Sequence, residues 1–155
     1  RFALHACSHP MEQMIELLDL IEGGVLERHP GLRVAHLEAG CGWLPYWLWR
    51  LDEEYAHLAD EVAGRVRMRP SAYFRRQCLI AVEPDEPLLP EVIHQIGEDS
   101  TLFGTDFPHL DHDEGQVARA LALRGKVPES ALRKMLWDNA ARFFGVPDAG
   151  LSDRG

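Results

Sequence analysis

Three short apolar runs each end in an acidic residue, and those ends carry the chemistry the sequence offers. Arg33-Val-Ala-His-Leu-Glu38 finishes at Glu38, Cys78-Leu-Ile-Ala-Val82 runs into Glu83, and Thr101-Leu-Phe-Gly-Thr105 runs into Asp106. If each run is a strand, side chains two apart look the same way. Val34, His36 and Glu38 then share a face, as do Leu79, Ala81 and Glu83, and Leu102, Gly104 and Asp106. A histidine and a carboxylate on one face, as in His36-x-Glu38, are acid–base or metal-ligating material. The plainer readings stay open. A strand-end acid also caps the next helix or faces solvent, and a lone strand histidine also sits neutral in a core.

The densest group is GTDFPHLDHDE, residues 104–114, which holds Asp106, His109, Asp111, His112, Asp113 and Glu114. Oxygen and imidazole donors of this kind suit hard or borderline cations. Asp111, Asp113 and Glu114 precede a helix, where acids complement free amides and the helix dipole, so they read as structural. Asp106 stands apart, because Gly104 leaves room beneath it and Phe107-Pro108 stiffens the turn behind it. Trp43 lies close enough to a strand end to line a pocket, and as readily joins the core. Arg65, Arg67, Arg69, Arg75 and Arg76 either steer an anionic substrate, with Arg75 or Arg76 as the contact, or pair with surplus surface acids.

The elements that would position these residues alternate along the chain. Apolar spacing predicts a helix over residues 10–22, with Pro10 in its first turn and Gly23-Gly24 as its stop. A turn leads to strand 33–38 and the loop Ala-Gly-Cys-Gly, then a helix over 44–60 and an arginine-rich connection over 64–77. Strand 78–82, a helix over 88–97, strand 101–105 and helices over 114–124 and 129–144 complete the order. Strands separated by helices argue for a parallel α/β sheet, because parallel neighbours require a crossover. Ligands of such sheets bind at the C-terminal strand edge, so three carboxylates and a histidine converge on one mouth. The Ala-Gly-Cys-Gly loop lacks the length and pattern of a phosphate cradle.

Composition bounds the rest. The chain has 155 residues, 46% hydrophobic and 26% charged, which fits one folded domain and excludes disordered, collagen-like and coiled-coil classes. A net charge of −9 disfavours nucleic acid and anionic membrane surfaces as partners. No stretch approaches the roughly 20 apolar residues that cross a bilayer, and no signal peptide pattern is present. Cys7, Cys41 and Cys78 are odd in number and form no CxxC pair, so reduced thiols and a cytoplasmic location are expected.

The blocks GGVLERHPGLRVAHLEAGCGWLPYWLWRLDEEY, RPSAYFRRQCLIAVEPDE, LFGTDFPHLD and DNAARFFG occur in one order along the chain. In that order the sequence resembles the amidohydrolase-2 family, the metal-dependent hydrolases and non-oxidative decarboxylases related to aminocarboxymuconate semialdehyde decarboxylase. The resemblance implies a (β/α)₈ barrel of which this chain is the C-terminal part, with residues 33–38, 78–83 and 101–106 as strands six, seven and eight. Asp106 then matches a metal ligand that also handles a proton. His36 and Glu38 are the candidates for the strand-six catalytic position, and Glu83, Trp43, His109 and Arg76 for substrate contacts. The implied cofactor is a divalent cation, Zn²⁺ being expected, and the implied substrate is a small carboxylated or cyclic molecule. The implied partners are the N-terminal half of the barrel and, in such families, a second subunit forming a homodimer. His5 and His9, at the entry to the first helix, are not taken as ligands. The alternative is a non-catalytic or degenerate module that serves binding or assembly.

Overall fold

The computed structural model describes residues 1–109 and 114–147. In chain order the elements are α1 (Phe2–Glu22), α2 (Val25–Arg28), β1 (Val34–His36), α3 (Leu44–Leu58), α4 (Pro70–Gln77), β2 (Cys78–Val82), α5 (Leu89–Ile96), β3 (Thr101–Phe103), α6 (Gln116–Leu121), α7 (Glu129–Arg133) and α8 (Asn139–Phe144). The strands form one parallel sheet in the order β1-β2-β3, as the alternation of helices and strands requires. Among the described residues, no helix is long and apolar enough to cross a membrane.

Several boundaries differ from the sequence expectation for identifiable reasons. The first helix begins at Phe2 and runs through Pro10, since a proline removes one N–H but does not by itself end a helix embedded in tertiary contacts. Residues 70–77, expected to belong to an arginine-rich connection, form α4. Pro70 starts that helix with its pre-set φ, Tyr73 and Phe74 are buried, and Arg75 and Arg76 fall in its last turn. The strands at both edges are shorter than expected, because Glu38 and Asp106 leave the extended region with φ of 64° and 55°. Residues 134–138 form a π-helical turn that joins α7 to α8. Asp111, His112 and Asp113 lie outside the described residues.

Register decides which face each strand residue takes. Val34 pairs with Cys78 and His36 with Ile80, while Ile80 pairs with Thr101 and Val82 with Phe103. These residues look toward the helices, where Ile80, Val82, Phe74, Leu44, Leu48 and Leu89 make the main core. Ala35, Leu79, Ala81 and Leu102 look the other way, and Leu79 and Leu102 are buried outside that core. Each fully buried Leu or Ile contributes about 1.5–3 kcal/mol, so the helix-facing side dominates the stability. Asn139 is fully buried and anchors α8 beneath β3, its Nδ2 donating to the carbonyls of Glu98 at 2.8 Å and Thr101 at 2.6 Å.

Candidate functional site

The C-terminal strand ends open into a cleft of about 580 Å³ lined by His5, His9, Leu37, Glu38, Gly40, Ala81, Glu83, Gly104, Asp106, His109 and Gln116. Of the residues singled out from the sequence, Glu38, Glu83, Asp106 and His109 come together here. Asp106 sits on a left-handed backbone corner immediately after β3, and His109 folds back over it. The His109 N–H donates to the Asp106 carbonyl at 2.8 Å, and His109 Nδ1 lies 3.2 Å from Asp106 Oδ2. Glu38 occupies the matching corner after β1, 3.7 Å from His9 Nε2. Among the described residues, Glu38 and Asp106 are the two non-glycine positions with positive φ. Aspartate tolerates that region and a longer acid less readily, so both corners are held by their surroundings.

His36 does not belong to this cleft. The expectation that it shares a face with Glu38 and joins the strand-end acids at one mouth is corrected by the register, which pairs it with Ile80 on the helix-facing side. Its ring stacks on Phe74 at 5.9 Å and meets the edge of Trp43 at 6.1 Å. Burial lowers its pKa to about 4, so the ring is neutral at physiological pH. Glu16 Oε2 lies 3.5 Å from Nδ1, and both ring nitrogens are without a hydrogen-bond partner. Glu38 shows the opposite face because its positive φ turns it out of the strand alternation.

Trp43 and Arg76 also stand apart from the cleft. Trp43 donates its indole N–H to the Gly40 carbonyl at 3.0 Å and packs against the core. Arg76 lies at the N-terminal end of β2, donates to the Leu26 carbonyl at 2.7 Å and covers the Tyr73 ring at 5.0 Å. It braces α4 against α2 at the edge of the sheet opposite the cleft. Arg75 likewise points to the Gln95 carbonyl.

The structure adds residues the sequence reading did not reach. His5 and His9 enter the cleft because α1 starts two turns earlier than expected and passes across the strand ends, where Gln13 donates to the Leu37 carbonyl. Glu86 is the second addition. Its carboxylate accepts from the N–H groups of Cys41 and Gly42 at 2.9 Å each and from Glu83 N–H at 3.2 Å. The Ala-Gly-Cys-Gly loop, too short for a phosphate, is therefore a cradle for an internal carboxylate. Partial desolvation raises the Glu83 carboxyl above the ordinary range, and the charges of Glu86 and Asp85 raise it further. Burial pushes the Cys41 thiol up strongly, with Glu86 adding to the effect. Among the described residues, no three His, Cys, Asp or Glu side chains lie close enough to hold a metal ion by themselves.

The arrangement can deliver a proton from a carboxyl–imidazole pair to a small molecule seated between acidic walls. A family described as amidohydrolase matches residues 2–146. Gamma-resorcylate decarboxylase of Polaromonas sp. strain JS666 is 26% identical over 137 residues, covering 86% of this chain and 40% of that protein. The chain thus spans about two fifths of the length of the curated relatives it matches. The solved amidohydrolase of Mycobacterium avium subsp. paratuberculosis K-10 superposes with a TM-score of 0.75 at 28% identity, over 89% of this chain and 35% of that one. A manganese-bound dihydroxybenzoic acid decarboxylase of Polaromonas sp. JS666 shares the fold, with a TM-score of 0.72 at 24% identity over 90% of this chain and 42% of that one.

Proposed function

Since the chain belongs to the amidohydrolase family, we propose that the protein containing it is a metal-dependent enzyme that removes a carboxyl group from a small aromatic acid without oxidation. In this reading the three parallel strands are strands six to eight of a (β/α)₈ barrel, and the remaining barrel strands pair with the open edges of β1 and β3. Hydrolysis on the same scaffold is the neighbouring possibility, separated from decarboxylation by product analysis.

The observation that carries the reading is the pair of left-handed corners. Glu38 and Asp106 both leave their strands with positive φ and both line the same cleft. Strained corners at two strand ends, each bearing a carboxylate, are the kind of feature a fold retains for chemistry. Glu38, not His36, takes the strand-six position. His109 Nδ1 and Asp106 Oδ2, 3.2 Å apart, are close enough to pass a proton between them. Delivered to the ring carbon that bears the carboxylate, that proton forms the new C–H bond. The C–C bond then breaks, its electron pair returns to the ring, and carbon dioxide leaves. Solvent reprotonates the pair. Glu83, whose carboxyl is raised above the ordinary range by partial desolvation and by the charges of Glu86 and Asp85, forms part of the wall.

A cleft with three carboxylates repels an anionic substrate unless a cation intervenes, and a bound divalent ion would reverse the local charge. The described residues do not complete such a site. Asp106 is one ligand, and the others are contributed from outside these residues. Zinc is the expected ion, with manganese as its competitor. The test is carbon dioxide release from gamma-resorcylate by the full-length protein with each ion added after chelation. Release restored by one of them is expected. No release with either ion, together with no stoichiometric metal, would overturn the reading in favour of a non-catalytic assembly module.

A further inference from the structure

Glu86 takes no part in the reaction described above, yet it is the most heavily bonded acid at the strand ends. Its Oε1 accepts from Cys41 N–H at 2.9 Å and Glu83 N–H at 3.2 Å, while Oε2 accepts from Gly42 N–H at 2.9 Å and Cys41 N–H at 3.0 Å. Three amides from two different loops thus converge on one carboxylate. One loop follows β1 and begins at the Glu38 corner. The other follows β2 and begins at Glu83. A side chain at Gly40 would meet the Glu86 carboxylate at 3.2 Å, and Gly40 has φ of +63°, so the loop is shaped around this acid. Neutral hydrogen bonds between the two loops would be weaker, because an ionised acceptor roughly doubles the strength of each bond.

We propose that Glu86 is a positioning residue that fixes the loop bearing Glu38 against the loop bearing Glu83 and so sets the spacing of the two acidic walls. This rests on the decarboxylase reading for its catalytic consequence, but the holding of the loop is independent of it. Cys41 reports on the loop directly. Its thiol is fully buried beneath the cradle, Cys78 is buried in the sheet, and Cys7 is exposed on α1. When the cradle opens, Cys41 becomes reachable and Cys78 does not.

The experiment compares Glu86→Gln and Glu86→Asp with the parent in the full-length protein. Glutamine keeps the size but replaces one acceptor by a donor that faces the amides. Aspartate keeps the charge but is one methylene short of the second loop. Cysteine labelling is mapped by peptide mass, and kcat and KM are measured on gamma-resorcylate with manganese. In both variants Cys41 is expected to label at least about tenfold faster, the scale of one lost charge-assisted bond, while Cys78 labelling is unchanged. Displacing a wall by about 1 Å is expected to lower kcat about a hundredfold with KM nearly constant. Unchanged Cys41 labelling in both variants would overturn the proposal, as would faster labelling with kcat retained. Parent-like behaviour of Glu86→Asp in both measurements would show that charge and not reach matters, and would overturn it too. A parent protein that turns over no gamma-resorcylate counts against the assigned reaction alone, and Cys41 labelling then decides whether Glu86 holds the loops.

Discussion

At the N-terminal rim of the sheet Glu98 and Asp99 share a lysine, whereas at the C-terminal rim Glu38 and Asp106 each face a histidine. Below, Lys134 Nζ lies 2.7 Å from Glu98 and 2.9 Å from Asp99, and Arg142 donates to the Asp99 carbonyl at 2.9 Å. Hydrogen bonds from Lys134 hold the carboxyls of Glu98 and Asp99 below the ordinary range and raise Lys134 above its own. Above, partial desolvation and the neighbouring acids push Glu83 the other way. Glu38 and Asp106 have no arginine or lysine partner among the described residues, and both sit on left-handed backbone. The lower rim relieves its charge locally and so serves the fold. Glu38 and Asp106 at the upper rim hold left-handed backbone without such a cation, which a fold retains where those groups have work to do.

The sharpest way to break this contrast is Asp106→Asn in the full-length protein. Loss of a positioned proton donor predicts a fall in turnover of about a thousandfold, with the thermal midpoint moved by only a few degrees. A fall of less than tenfold would place Asp106 among the structural acids. His36 gives the next largest effect, in stability instead of rate. Its pKa is about 4 folded against 6.5 unfolded, so below pH 6.5 the unfolded chain takes up a proton that the folded chain refuses. Stability therefore declines as pH falls from 6.5 to 4, by up to about 3 kcal/mol from this residue. Denaturant midpoints across that range should show the decline, and His36→Phe should flatten it while leaving turnover within about threefold. A large rate loss in His36→Phe would return it to the catalytic set. Asn139→Ala at the lower rim is expected to cost about 1–3 kcal/mol, because the buried Thr101 carbonyl and the half-buried Glu98 carbonyl lose their donor. Equilibrium unfolding measures that loss, and an unaltered kcat per folded molecule would confirm that the rims are separable.

Much of this contrast was readable in the chain. Alternating helices and strands gave the parallel order, and the acid at the end of each apolar run marked the rim that carries Glu38, Glu83 and Asp106. The face of His36 was not readable, because alternation fixes faces within one strand while register between strands depends on distant contacts. Pairing Val34 with Cys78 sends His36 to the helices, and the corner at Glu38 turns the acid out of that alternation. Helix α4 was hidden by its arginines, which cover the solvent side of a helix whose Tyr73 and Phe74 are buried. Glu86, in Glu-Pro-Asp-Glu, belongs to no motif that marks a role. Its signal lay elsewhere, in the closely spaced glycines of Ala-Gly-Cys-Gly, whose exposed amides need an acceptor.

The left-handed corner at Asp106 also governs how a mutational scan of this protein must be interpreted. An alanine there would carry a backbone penalty of roughly 1–2 kcal/mol in addition to losing the carboxyl, so the customary alanine variant mixes misfolding with lost chemistry. Asparagine, which visits the same φ with little penalty, isolates the carboxyl. Glycine isolates the backbone by relaxing it. A library that scores abundance alongside activity should therefore find asparagine and glycine abundant but inactive at position 106, and β-branched residues depleted from the soluble pool altogether.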